Sequence, residues 1–125
     1  MDKNLFKKQK KGSITIKKNE KPPYQGLKKR YIKQGKSCRV TFCLPKEAVN
    51  GVEKVSVIGD FNDWERGANP LRKLKTGLFS TTLELASGKS YRFKYLLDDC
   101  RLENDWHADT YLPNPYGGED SAVTV

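Results

Sequence analysis

The sequence predicts an all-β sandwich behind a disordered basic arm, and three observations carry that reading. After Ser37, apolar and polar residues alternate with a period of two in segment after segment. Turn signals made of Gly, Asn, Asp and Pro separate those segments at intervals of about 8–12 residues. The single helical candidate, Lys46-Glu47-Ala48-Val49, is one turn long and stops at Asn50-Gly51. About six to eight short strands without a substantial helix is the pattern of a sandwich.

The arm comes first. The 125 residues hold 24 Lys and Arg against 15 Asp and Glu, a formal charge of +9 and a pI of about 9.5. That balance points at first to nucleic acid or an anionic membrane surface. The charge is unevenly placed, however. Residues 1–36 hold 12 Lys and one Arg against Asp2 and Glu20, a net of +11. Residues 37–125 hold 11 basic groups against 13 acidic ones, a net of −2. Within 1–36, runs such as Lys7-Lys8, Lys17-Lys18 and Lys28-Lys29-Arg30 repel one another, and few large apolar groups offset the ordering entropy. The division is therefore an arm at 1–36 and a sandwich domain at 37–125, although Leu27 to Tyr31 could add an edge strand.

The strands follow in order. Cys38, Val40, Phe42 and Leu44 share one face, with Arg39 and Thr41 opposite, and Pro45 ends the strand. Val55 and Val57 lead to Gly59, with Lys54 and Ser56 on the other side. Leu71 to Leu74 is a short strand candidate. Phe79, Thr81, Leu83 and Leu85 alternate with polar residues between the turns Thr76-Gly77 and Ser87-Gly88. Tyr91, Phe93, Tyr95 and Leu97 give the clearest apolar face, opposite Arg92 and Lys94. Asp98-Asp99 stands where a hairpin needs positive φ, and Cys100 to Leu102 is the returning strand. Glu103 to Gly118 reads as a long loop, and Ser121 to Val125 closes the chain. Val40, Phe42, Val55, Val57, Leu83, Phe93 and Tyr95 are the expected core.

Several function classes drop out. At 125 residues the chain is too short for a β/α-barrel hydrolase, which needs about 250. No stretch approaches the roughly 20 apolar residues of a membrane-spanning helix. The first eight residues lack the apolar core of a secretory signal, so the expected location is cytoplasmic. Cys38 and Cys43 are five apart, on opposite faces of one strand, and cannot pair there. Reduced thiols are expected, with Cys100 bonded to one of the others as the alternative. No C-x-x-C pair accompanies the lone His107, so no metal site or cofactor is predicted. Asp98, Asp99, Glu103, Asp105 and Asp109 offer carboxylates, but acids at turns commonly bond their own backbone. One small sandwich also rarely provides a deep catalytic cleft. No catalytic residue is assigned.

The segment Gly59-Asp60-Phe61-Asn62-Asp63-Trp64 leaves a strand through a glycine and sets two aromatics on a polar turn. An indole stacks on the C–H face of a pyranose while nearby amides and carboxylates bond hydroxyls. The competing reading is that Phe61 and Trp64 cover an open end of the sandwich.

The run Val55 to Trp64, then Tyr91 to Asp98, then Asn104-Asp105 and Tyr111 to Ser121, resembles the glycogen-binding carbohydrate-binding module of family 48. That module occurs in isoamylases, branching enzymes and the β subunit of AMP-activated protein kinase, and alone in small bacterial proteins. The resemblance spans about residues 37–125. It implies an immunoglobulin-like β-sandwich of the early-set type that binds α-1,4-glucan such as glycogen, starch-like polymer or maltooligosaccharide, and catalyses nothing. It implies a partner too, a glucan-active enzyme or a kinase-like protein that the module tethers or assists. Carried over by position, Trp64 is the stacking platform and Lys94 the donor to sugar hydroxyls, with Asn62 beside them on the turn. Asp120 and Ser121 stand where the kinase module has an Asn. Leu102 stands where that module has a second clamping Trp, so part of the clamp is lost. Trp106 either substitutes for it or packs as a cover. Two other readings stay open: a sandwich that kept the fold for protein interaction and lost the sugar, and nonspecific nucleic-acid binding through residues 1–36.

Overall fold

A computed structural model describes residues 26–125; the expectation of disorder at 1–25 lies outside the described residues. Among the described residues there are nine strands: β1 Lys28–Ile32, β2 Ser37–Leu44, β3 Val55–Gly59, β4 Pro70–Lys73, β5 Phe79–Ala86, β6 Ser90–Leu97, β7 Arg101–Glu103, β8 Thr110–Pro113 and β9 Glu119–Thr124. Lys46–Val49 is a single 3-10 turn, as its length predicts. No helix among the described residues is long and apolar enough to cross a membrane.

The strands form one antiparallel sheet that curls into two layers, in the order β1-β2-β5-β4-β3-β6-β9-β8, with β7 also paired to β6. β4 is the fold line. Its first half pairs with β3 (Val55↔Leu71, Ser56↔Pro70) and its second half with β5 (Arg72↔Ser80, Lys73↔Phe79). The two layers meet through the faces that alternation predicts. Phe42 of β2 lies 5.0 Å from Phe93 of β6, ring to ring and edge-on, and Phe93 lies 5.7 Å from Tyr95. Val40, Phe42, Val57, Phe93 and Tyr95 are fully buried, while Leu83 is only partly buried against the same cluster. This is the all-β, immunoglobulin-like sandwich that the sequence predicts.

Two segments read as arm and loop gain strands. Lys28–Ile32 is the edge strand that Leu27 to Tyr31 could add, and it pairs along its whole length with β2. Lys29 then reaches from this edge to the other layer, donating to Asp109 Oδ2 at 2.6 Å and to the Thr124 carbonyl at 2.8 Å. A lysine that reads as part of a repelling run thus clasps the two ends of the curled sheet. The loop Glu103–Gly118 also contains a strand. β8 pairs with β9 as the opposite edge, where Pro113 is tolerated because its missing N–H faces no neighbour.

Turn chemistry explains the hairpin between β6 and β7. Asp98 and Asp99 are both left-handed, at φ 52° and 59°. Asp98 is suited to the site because its Oδ1 accepts the Glu53 and Lys54 N–H groups at 3.0 and 2.9 Å. Lys54 pairs with Asp99 at 2.8 Å, and that hydrogen bond holds the Asp99 carboxyl below its ordinary range.

Asp105 ties the β7–β8 connection to the core. Its carboxylate accepts the Tyr95 hydroxyl at 2.6 Å and the His107 N–H at 2.7 Å, and its own N–H donates to Ser121 Oγ at 2.8 Å. Tyr111 donates to its carbonyl at 2.7 Å. Asp105 is 1% exposed, so truncation strands several polar groups away from water. Replacing Asp105 by Ala should lower unfolding free energy by about 2–3 kcal/mol in urea denaturation, and D105N should cost less.

All three cysteines are free. Cys38 points into the core, whereas Cys43 lies on the opposite face against Leu78, its thiol 3.4 Å from the Gly26 carbonyl. Burial, reinforced by the charge of Asp105, pushes the Cys43 thiol up to about 11. The folded state therefore favours the protonated thiol. Its contribution to stability is complete below pH 9.0 and is lost as pH rises toward 11. In native protein at pH 8, iodoacetamide should modify exposed Cys100 alone. Mass spectrometry should find Cys38 and Cys43 alkylated only after denaturant is added.

Candidate functional site

The candidate site grows from the alternation of β6. Tyr91, Phe93, Tyr95 and Leu97 face the core, so Arg92, Lys94 and Leu96 face out. Register sets Ile58 beside Lys94 and Leu102 beside Leu96 on that outer face. Ser121 pairs with inward Phe93, so its neighbour Asp120 falls on the outer side.

Gly59 ends β3 pressed against β6. A Cβ at Gly59 would lie 2.3 Å from the Arg92 carbonyl and 2.8 Å from Phe93 Cβ, so a larger residue would force the strands apart. The chain then closes a tight turn, with the Trp64 N–H donating to the Gly59 carbonyl at 2.9 Å. Asp63 and Trp64 are both left-handed, at φ 56° and 57°. Asn62 holds the turn from within. Its Oδ1 accepts the Gly59 N–H at 3.0 Å, and its Nδ2 donates to the Val57 carbonyl at 3.0 Å and to Asn69 Oδ1 at 2.7 Å. Asp60 orients the indole. One carboxylate oxygen accepts Trp64 Nε1–H at 3.1 Å, and the other accepts the Arg92 backbone N–H at 2.8 Å.

Trp64, Lys94, Leu102 and Asp120 meet in one groove of about 560 Å³. Its remaining wall is the β8–β9 turn, which contributes Asn114, Pro115, Tyr116 and Gly118. Asn114 builds that turn: its Oδ1 accepts the N–H groups of Tyr116 and Gly118 at 2.9 and 3.2 Å, and its Nδ2 donates to Asp120 Oδ1 at 3.0 Å. Tyr116 is thereby held at the tip, 93% exposed.

The polar floor is held in place by its own bonds. Lys94 donates to Asn104 Oδ1 at 3.1 Å and to the Glu119 carbonyl at 2.7 Å, with Asp120 at 4.0 Å. Two of its three ammonium protons are therefore bound, and the third is shared between the Asp120 side and the groove that Lys94 lines. Asp120 also accepts from Arg92 Nη1 at 3.3 Å. The arrangement offers aromatic and apolar walls over a fixed donor and acceptor pair. That suits stacking and hydroxyl recognition.

The other sequence-chosen residues lie elsewhere. Asn62 spends its hydrogen bonds inside the turn. Ser121 is fully buried, with its hydroxyl on Asn104 Oδ1 at 2.9 Å, so the expectation that it bonds a sugar is corrected. Strand parity is the cause, since adjacent residues cannot both face out. Trp106 is not among the residues that line the groove. Buried Asp105 anchors the turn that carries it, leaving Trp106 on the outside at 44% exposure. None of the turn carboxylates Asp98, Asp99, Glu103, Asp105 or Asp109 reaches the groove either. Asn114 and Tyr116 went unassigned, although Pro113-Asn114-Pro115-Tyr116-Gly117-Gly118 carries an Asn suited to bonding its own backbone two residues on.

The family model of carbohydrate-binding module 48, the isoamylase N-terminal domain, matches residues 50–117. Comparison with curated proteins finds no match. The matched segment runs from the approach to β3 to the tip of the β8–β9 turn. It therefore contains Trp64, Lys94, Leu102 and the Asn114–Gly117 wall, and it covers more than half of the sequence. On that match and the fold together, the chain belongs to carbohydrate-binding module family 48, a family of non-catalytic binding modules.

Proposed function

We propose that the domain binds α-1,4-glucan, such as glycogen or a maltooligosaccharide, in the groove walled by Trp64 and Tyr116, and tethers or assists a glucan-metabolising partner. The observation that carries this reading is the indole of Trp64, fixed by Asp60 at the edge of a groove whose floor holds the Lys94 ammonium beside Asp120. A pyranose ring stacks on the indole, and its hydroxyls take the proton of Lys94 and the lone pairs of Asp120. A neutral sugar requires no net charge, in keeping with the near-neutral balance of residues 37–125. Leu102 supplies apolar contact without a π-face, so a dissociation constant between roughly micromolar and millimolar is expected for so open a site.

Affinity electrophoresis of the full chain through glycogen-containing gel tests the reading. Retardation is the expected result, and unaltered mobility would count against direct glucan binding. In calorimetric titrations with maltoheptaose, W64A should weaken binding about tenfold, which is about 1.4 kcal/mol. Asp60→Asn should weaken it less, because the amide oxygen still accepts the indole N–H while its NH₂ opposes the Arg92 N–H.

A second reading rests on the exposure of Leu102 and Tyr116, at 49% and 93%, which also suits a protein-interaction surface. A partner retained equally in the presence of excess maltoheptaose, and lost on Leu102→Asp, would favour it.

A further inference from the structure

The layer opposite the groove carries a charge pattern that sugar binding does not use. β1, β2, β4 and β5 together hold six cationic residues and one acidic residue, Glu84. Register sorts them. Val40 and Phe42 face the core, so Arg39 and Thr41 face out, and β1 brings Arg30 beside Arg39 and Lys28 beside Thr41. On the other flank of β2, Glu84 stands beside Arg39 and Thr82 beside Thr41, with the two threonine hydroxyls 2.8 Å apart. Ser80 and Arg72 extend the same face.

Glu84 interacts with Arg39 across the strands, but one carboxylate offsets only part of the charge of this face. Lys33 holds that carboxylate at 2.6 Å, and the hydrogen bond keeps the Glu84 carboxyl below its ordinary range. Lys28, Arg30, Arg39 and Arg72 form no ion pair among the described residues. The two remaining cations serve elsewhere or stand apart: Lys29 clasps the other layer, and Lys73 lines a cavity beside Lys46. Residues 1–25, which lead into β1, add eight Lys against Asp2 and Glu20.

We propose that this outer face of β1-β2-β5-β4 binds the phosphodiester backbone of nucleic acid without regard to sequence. Three of its four open cations are guanidiniums, whose planar forks match phosphate oxygens two at a time. The hydroxyls of Thr41, Thr82 and Ser80 lie among them as further phosphate donors. Side chains two apart on a strand are about 7 Å from each other, and neighbouring strands about 4.8 Å, so cations meet a regularly charged polymer at several points. A bilayer fits less well, because the apolar side chains of this face, partly buried Ile32 and Leu74 at 37% exposure, stand at its opposite edges and form no patch for insertion. A folded acidic protein would answer to the same charge, and competition with polyglutamate separates the two. This inference is independent of glucan binding, which uses the other layer.

The test is fluorescence anisotropy of a short labelled DNA duplex of arbitrary sequence titrated with the full chain, from about 50 to 200 mM salt. The wild-type chain should bind a scrambled duplex equally well. K28E/R30E/R39E should weaken binding at least tenfold and flatten the log–log salt slope by about 3. R30Q/R39Q, a milder change on exposed strand positions, should flatten it by about 2. The charge-matched K54E/K89E/R101E, which alters exposed residues off this face, should fall well short of those losses; thermal melts establish that each variant is folded. Equal losses in the two triple variants would overturn the proposal, as would unchanged binding by K28E/R30E/R39E. So would tighter association with phosphatidylserine vesicles, or displacement of the duplex by polyglutamate at equal charge.

Discussion

The close approach of Gly59 to β6 is the contact on which the site depends. Without a side chain there, β3 pairs with β6 through to Phe93, and the chain leaves the strand directly beside the Arg92 carbonyl. From that point Asp60 reaches the next free N–H of β6 and, with its second oxygen, the Trp64 indole. One backbone contact thus fixes both the ladder that organises the core and the turn that delivers the aromatic platform. A methyl group at Gly59 would disturb both, because the atom it meets is backbone and has nowhere to go.

The rest of the groove is preformed by bonds that span distant parts of the chain. Lys94 joins the β7–β8 connection to β9 through Asn104 and Glu119, and Asp120 joins β9 to the β8–β9 turn through Asn114. Below them, Asp105, Tyr95 and Ser121 secure the same connection to the core. Fixing these groups in advance reduces the ordering entropy that a weakly bound ligand must overcome. The same bonds explain why part of the polar inventory near the groove is closed to a ligand, Ser121 most of all.

The two layers divide the chemistry of the domain. One carries an aromatic groove of nearly balanced charge, and the other a cationic face continuous with a lysine-rich segment. The fold permits this because a sandwich has two outer faces whose residues are set independently, provided each strand keeps its alternate residues for the core. Lys29 is the exception that joins them. It lies on the inward side of β1 and crosses to Asp109, so one lysine of the basic segment serves the architecture while its neighbours remain free.

Much of this was legible in residues. The alternation in β2, β5 and β6 fixed which side chains enter the core, because a strand has only two faces and water excludes the apolar one. The motif around Gly59 to Trp64, with Lys94 and Leu102 on or beside β6, marked four groove residues counting Asp120. β1 and β8 are edge strands whose composition is polar or proline-containing, and their order comes from pairing with β2 and β9 rather than from propensity. Ser121 turns inward because strand parity, not proximity in sequence, decides which way a side chain points. The sequence alone therefore determined the fold class, the inward face of each long strand and the aromatic turn. The tertiary structure decided which polar groups remain open to a ligand, because hydrogen bonds between residues far apart in the chain consume the others.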